Sequence, residues 1–210
     1  MIRQRIWFPV LYMFCTTALF SSMVIGLTLA TKERVQANQK LAFERAVLTV
    51  LPTVAETPLS GPQIHRLFSE SVTEPDESSR GAYTLRENGQ IVAYVLPISG
   101  QGFWAPIKGL IGIDADRRTI TGIAFYQQNE TPGLGAEIDK PAFRNQFRGK
   151  VIASEGRPMD IKRPGSQLGP NEVHAVTGAT QTSSRLERII NADLEKWRTA
   201  MQRKIGDQSR

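Results

Sequence analysis

Ala82-Tyr83-Thr84-Leu85-Arg86-Glu87-Asn88-Gly89-Gln90-Ile91-Val92-Ala93-Tyr94-Val95-Leu96 places two strand-like runs on either side of Asn88-Gly89. Asparagine and glycine both tolerate positive φ, which the tight turn matching the twist of paired strands requires. The stretch predicts an antiparallel hairpin. Working outward, 97–102 reads as a loop and Ile107-Lys108-Gly109-Leu110-Ile111-Gly112-Ile113 as a strand. Residues 114–118 turn, and 119–128, with Ile120, Ile123 and Phe125, form another strand. Short turns between neighbouring strands favour antiparallel pairing. Residues 141–150 read as a short helix with Phe143 and Phe147 one turn apart, and 156–170 as a glycine- and proline-rich connection. The fold class is therefore α+β, an antiparallel sheet with packed helices.

Ahead of this core, residues 7–30 carry no charge. As a helix they are long enough to cross a hydrocarbon layer of about 30 Å. The run exceeds the roughly 7–15 apolar residues of a signal peptide, so an uncleaved transmembrane helix is expected. Arg3 and Arg5 precede it and Lys32 and Arg34 follow. With the amino terminus added, the N-terminal side is slightly favoured inside. Residues 32–51 read as a helix leaving the membrane, 52–62 as a linker and 63–70 as a short helix with His65 on its solvated face. The expected divisions are an anchor at 1–31, a helical and linker segment at 32–80, and a domain at 81–204.

The chain carries 26 lysines and arginines against 20 acids, a net charge of +6. The surplus is diffuse, without a basic run interleaved with aromatics, so nucleic acid is not an expected partner. A single cysteine, Cys15, lies within the apolar run. It offers no disulfide framework or cysteine-ligated cluster, and the two histidines have no partner at metal-site spacing. No metal site and no hydrolytic nucleophile–base pair is expected.

Two strings carry the chemistry. Val173-His174-Ala175-Val176-Thr177-Gly178-Ala179-Thr180-Gln181-Thr182-Ser183-Ser184 packs hydroxyls and a glycine before a helix signal. Ser184-Arg185-Leu186-Glu187 reads as a capping box, and Ile189, Ile190, Leu194 and Trp197 continue an apolar stripe. Thr177, Gly178, Ala179, Thr180, Thr182 and Ser183 are then expected in a loop at a helix N-terminus, where free N–H groups and the helix dipole favour a phosphate. Glu130-Thr131-Pro132-Gly133-Leu134-Gly135 follows the last strand as a rigid turn. It is not a dinucleotide fingerprint, because Ile138 stands where the third glycine belongs and no βαβ unit surrounds it. Taken alone, either string equally well describes an ordinary turn.

Together the strings resemble the FMN-binding domain shared by two bacterial membrane proteins. These are NqrC, of Na⁺-translocating NADH:quinone oxidoreductases, and RnfG, of Rnf electron-transport complexes. Gly102-Phe103-Trp104, with the strand at 108–112, also resembles the former. The resemblance implies FMN held covalently through a phosphoester to Thr180, with Glu130 to Gly135 and Trp104 near the flavin. It also implies a single-pass protein of the bacterial inner membrane with its domain on the periplasmic side. Other membrane subunits of an ion-translocating complex and a flavin transferase are the implied partners. His174 stands where the family usually has an aspartate. Transfer of electrons is the implied function. A membrane-tethered FMN-binding sensor and a flavin-free scaffold are the alternatives.

Overall fold

The computed structural model describes residues 7–52 and 59–207. Arg3, Arg5 and most of the expected linker lie outside them. The anchor and the helix expected after it are one helix, α1 (Trp7–Val50). Its first part is long and apolar enough to cross a membrane, with a mean hydropathy of 1.8 and no buried residue in the apolar window. The chain divides into two compact units, 1–40 and 41–210.

In the second unit five strands form one antiparallel sheet in the order β1 (Val72–Thr73), β2 (Tyr83–Glu87), β3 (Gln90–Gln101), β4 (Pro106–Asp114) and β5 (Ile120–Gln127). Asn88 and Gly89 have φ of 52° and 80°, so the β2–β3 turn uses the positive φ that its sequence invites. Both sheet faces are covered, which explains why β4 reads as almost continuously apolar. On one face Tyr94, Ile98, Ile107, Ile111 and Ile123 pack with Leu186, Ile190, Leu194 and Trp197 of α4 (Thr180–Asp207). On the other, Ala93, Val95, Leu110 and Ala124 meet Ala46, Val47 and Val50 of α1 and Ile64 of α2 (Gly61–Ser71). Val50 fits against Gly112 and Gly122, and its carbonyl accepts a hydrogen bond from Thr121 Oγ1. Segment 32–80 thus supplies much of the second layer.

Pro97 corrects the expected loop at 97–102, because it lies inside β3. Pairing between β2 and β3 ends at Tyr83 and Val95. Beyond that point β3 has only β4 beside it, and a missing N–H on an open side costs no ladder bond. Helix α4 reaches the same stretch: Ser99 N–H donates to Asp193 Oδ2 at 2.9 Å. A Cβ on Gly100 would sit 2.5 Å from Ile189 Cγ1.

The expected helix at 141–150 is shorter, comprising α3 (Pro141–Arg144) and a 3-10 turn (Asn145–Phe147). Gly149, with φ of 75°, turns the chain back so that residues 149 and 150 pair with Ile120. Within the connection at 156–170 lies β6 (Asp160–Lys162), parallel to β7 (Glu172–His174). Helix α4 secures β6 with side chains. Asn191 bonds both backbone groups of Met159, and Glu187 accepts Ile161 N–H at 2.7 Å.

His65 lies on an exposed face, as expected, but its Nδ1 meets the buried Glu44 of α1 at 2.8 Å. The loop before β2 is organised by Asp76, whose Oδ1 accepts Ser78 O–H at 2.6 Å and Ser79 N–H at 2.7 Å. These bonds hold its pKa down to about 2, from 3.8. A carboxyl depressed on folding stabilises above its unfolded pKa, and that contribution is lost as pH falls through the folded one. Between about pH 4 and 2 this loop is expected to loosen. The Ser79 amide shift in an NMR titration should have its midpoint near 2 in the wild type and should not titrate in Asp76→Asn. A wild-type midpoint near 3.8 would contradict the assignment.

Candidate functional site

Antiparallel pairing brings the β3–β4 turn (102–105), the segment after β5 (128–135) and the N-terminal end of α4 to one end of the sheet. Gln101 faces Pro106 in the ladder and Lys108 faces Gln127, so these strand ends are neighbours. Both strings named from the sequence therefore converge.

Glu130 joins them. It is buried at 5% exposure, with Oε1 accepting Trp104 N–H at 3.1 Å and Oε2 accepting Thr182 O–H at 2.7 Å. One carboxyl group thus ties together three segments distant in sequence. Glycines make room for it: a Cβ on Gly102 would sit 2.5 Å from Oε1, and one on Gly135 2.8 Å from Oε2. Gly135 would also approach Thr182 Oγ1 to 2.5 Å. Glu130 thus links these segments from beneath the exposed surface.

The turn at 131–135 closes through Leu134 N–H and Ala136 N–H, both donating to Thr131 O. Gly133 has φ of +75° and open space beyond it. A side chain there meets only backbone strain, on the order of 1–2 kcal/mol for a non-glycine residue in the left-handed region. Gly133→Val is expected to lose about that much stability and to move Leu134 off Gly178. Urea denaturation measures the first effect and the Leu134 methyl shift the second. An unchanged shift would mean the turn tolerates the residue.

Helix α4 starts one turn before the expected capping box, at Thr180. Ser184 is exposed, and Glu187 serves β6 instead of reaching back. The actual start uses a turn in which Ala179 N–H bonds Val176 O, with Gly178 at φ +78° as the type II geometry requires. Ser183 N–H donates to Ala179 O, and Ser183 Oγ accepts Val176 N–H at 3.2 Å. The hydroxyls of the string are thereby sorted. Thr182 and Ser183 are buried and engaged, whereas Thr177 and Thr180 are exposed. The N–H groups of Thr180, Gln181 and Thr182 have no acceptor among the described residues. Orphan donors of this kind, at the positive end of a helix dipole, favour an anion.

An apolar surface adjoins them. Beyond Val35, the large hydrophobic side chains left exposed among the described residues are Phe103 at 43%, Trp104 at 66% and Leu134 at 45%. Phe103 and Trp104 meet edge to face at 5.0 Å. Leu134 Cδ2 lies 3.2 Å from the place where a Cβ on Gly178 would stand. Arg185, not singled out from the sequence, sets its guanidinium 5.8 Å from the Phe103 ring centroid, and its buried Nε has no hydrogen-bond partner. Its signal is its place in the second turn of α4, legible only once the start of the helix is known. His174 faces elsewhere: Nε2 meets Ser166 O at 2.9 Å, and its N–H donates to Gln146. Of the sequence-named residues, Thr177, Gly178, Thr180, Thr131, Pro132, Gly133, Leu134 and Trp104 are exposed here. Glu130, Gly135, Ala179, Thr182 and Ser183 form the buried floor.

The profile of the FMN-binding domain family matches residues 102–195. NqrC of the Na⁺-translocating NADH-quinone reductase from Yersinia pestis is 38% identical over 108 residues, 50% of this chain and 41% of that protein. Its Chlamydia pneumoniae counterpart is 45% identical over 111 residues, 53% of this chain and 34% of its own length. The chain thus matches less than half the length of these curated relatives. The crystal structure of the Parabacteroides distasonis counterpart shares the fold, with a TM-score of 0.66 at 24% identity over 81% of this chain and 94% of that one.

Proposed function

We propose, on the premise that residues 102–195 belong to the FMN-binding domain family, that this chain is an FMN-carrying electron-transfer subunit of a membrane oxidoreductase complex. The observation that carries this reading is a conjunction at one end of the sheet. An exposed threonine hydroxyl and unpaired helix N–H groups adjoin an exposed aromatic and aliphatic surface. FMN needs both halves: donors for a phosphate and an apolar face for a flat ring. The residues present fit that ligand.

In this reading Thr180 carries the phosphate as an ester, and the N–H groups of Thr180, Gln181 and Thr182 neutralise it. Phe103, Trp104 and Leu134 cover the ring, while Glu130 and Thr182 keep the two turns in register. Bound flavin supplies the electron-accepting and electron-donating chemistry, and the protein sets its position. No side chain is assigned an organic substrate. The apolar part of α1 anchors the protein in the bacterial inner membrane with its domain on the periplasmic side. Other membrane subunits of an NADH-quinone reductase or Rnf-type ion-translocating complex, and a flavin transferase, are its partners. Full-length protein co-expressed with a flavin transferase is expected to fluoresce in a denaturing gel and to be heavier by one FMN less one water. Protein that stays at its polypeptide mass and does not retain added FMN would refute the reading.

A further inference from the structure

The opposite end of the sheet holds a pocket. The β4–β5 turn, residues 152–154 and residues 197–202 of α4 border this open pocket of about 230 Å³. At the 1.5 Å rise of a helix, it lies roughly 26 Å along α4 from Thr180. Its interior is apolar, with Ile152, Trp197 and Met201 contributing side chains that also belong to the core. Its remaining lining includes three arginines, Arg117, Arg118 and Arg198.

None of the three has an ion pair among the described residues. Arg198 is fixed in place, with Nη1 donating to the carbonyls of Ala153 at 2.7 Å and Ser154 at 3.1 Å. Arg117 is carried on a turn at φ 61°. Asp116, the acid of that turn, is held by the turn's own donors, and its negative charge offsets part of that of Arg118. Its Oδ1 accepts the N–H groups of Arg118 and Thr119, and its Oδ2 accepts the Thr119 hydroxyl. Three arginines and one carboxylate around one apolar hollow leave a net positive potential that an anion would relieve. The hollow itself rewards an apolar body. At about 30 Å³ for a water-sized group, it admits roughly eight such groups, about the volume of a short alkyl chain.

We propose that this pocket binds a short amphiphilic carboxylate, its alkyl body on Ile152, Trp197 and Met201 and its carboxylate among Arg117, Arg118 and Arg198. The site is independent of the flavin reading. Full-length protein in zwitterionic-lipid nanodiscs, labelled with ¹³C-methyl methionine, provides the test. The Met201 methyl is expected to shift saturably with octanoate, while the methyl of Met159, buried in the same core, does not. Octanol and sulfate, each carrying half of the recognition, should bind at least about tenfold more weakly, as should octanoate to Arg117→Gln/Arg118→Gln. Arg117→Lys/Arg118→Lys keeps the charge and should retain most of the affinity, separating loss of charge from loss of fold. The proposal is overturned by the absence of a saturable shift, by octanol or sulfate matching octanoate, or by wild-type affinity in the glutamine variant.

Discussion

Thr180→Val is expected to fold like the wild type and carry no covalent flavin. Valine keeps the shape of threonine and removes only the hydroxyl. Because that residue is exposed and its hydroxyl has no partner among the described residues, its loss leaves no buried group unsatisfied. The melting temperature should stay within about a degree or two, since surface substitutions of this kind fall within ±0.5 kcal/mol. Thr177→Val is the matched control: the same residue type, also exposed, but in the turn before the helix. It should retain flavin. Intact mass settles both, because the ester is either present or absent. A flavin adduct persisting on Thr180→Val would move the attachment point, with Thr177 next to test.

Glu130→Ala is expected to damage the site and the fold together. It removes the acceptors for Trp104 N–H and Thr182 O–H, the latter buried in the floor of the site. Leaving a buried donor unsatisfied costs about 1–3 kcal/mol. That penalty, from the buried Thr182 hydroxyl, is a sizeable share of the stability of a domain this size, and Trp104 N–H loses its acceptor as well. Flavin occupancy should fall with it, since Trp104 and the α4 N-terminus lose their common tether. Glu130→Gln separates the two effects. Its amide oxygen can still accept from Trp104, and the Thr182 hydroxyl can rotate to accept from the amide NH₂. Glutamine should therefore recover most of the stability and flavin. Denaturation and flavin absorbance, measured on the same samples, check both variants. Wild-type behaviour of the alanine variant would show that Glu130 holds nothing together.

What can be read from the sequence is local. Asn88-Gly89 fixes its hairpin through backbone preferences that no distant contact needs to support. The glycine, the hydroxyls and the proline-glycine turn likewise carry their chemistry in their own side chains or the lack of one. The start of α4 is harder to place, because Ser184-Arg185-Leu186-Glu187 makes a better isolated cap than Ala179 does. The real start is decided by Ser183 bonding Val176 and by Thr182 bonding a residue 52 positions away. Pro97 misleads for a similar reason: whether proline suits a strand depends on how far its neighbour pairs, which no window around Pro97 contains. The buried position of Glu130 follows from Gly102 and Gly135, which belong to other segments.

Helix α4 has two duties, and their order in time matters. The same helix that presents Thr180 in its first turn also seals one face of the sheet with Leu186, Ile190, Leu194 and Trp197. It is the last described element to leave the ribosome. Until it docks, β3, β4 and β5 expose a broad apolar surface of the kind that drives nascent chains to aggregate. Any enzyme acting on Thr180 therefore meets either a finished domain or a chain without this lid. Modification that requires the docked helix would then report that α4 has closed this face. A chain stopped after Ala179 should accordingly sediment with aggregates or depend on chaperones, and a soluble, folded product would remove this link between maturation and loading.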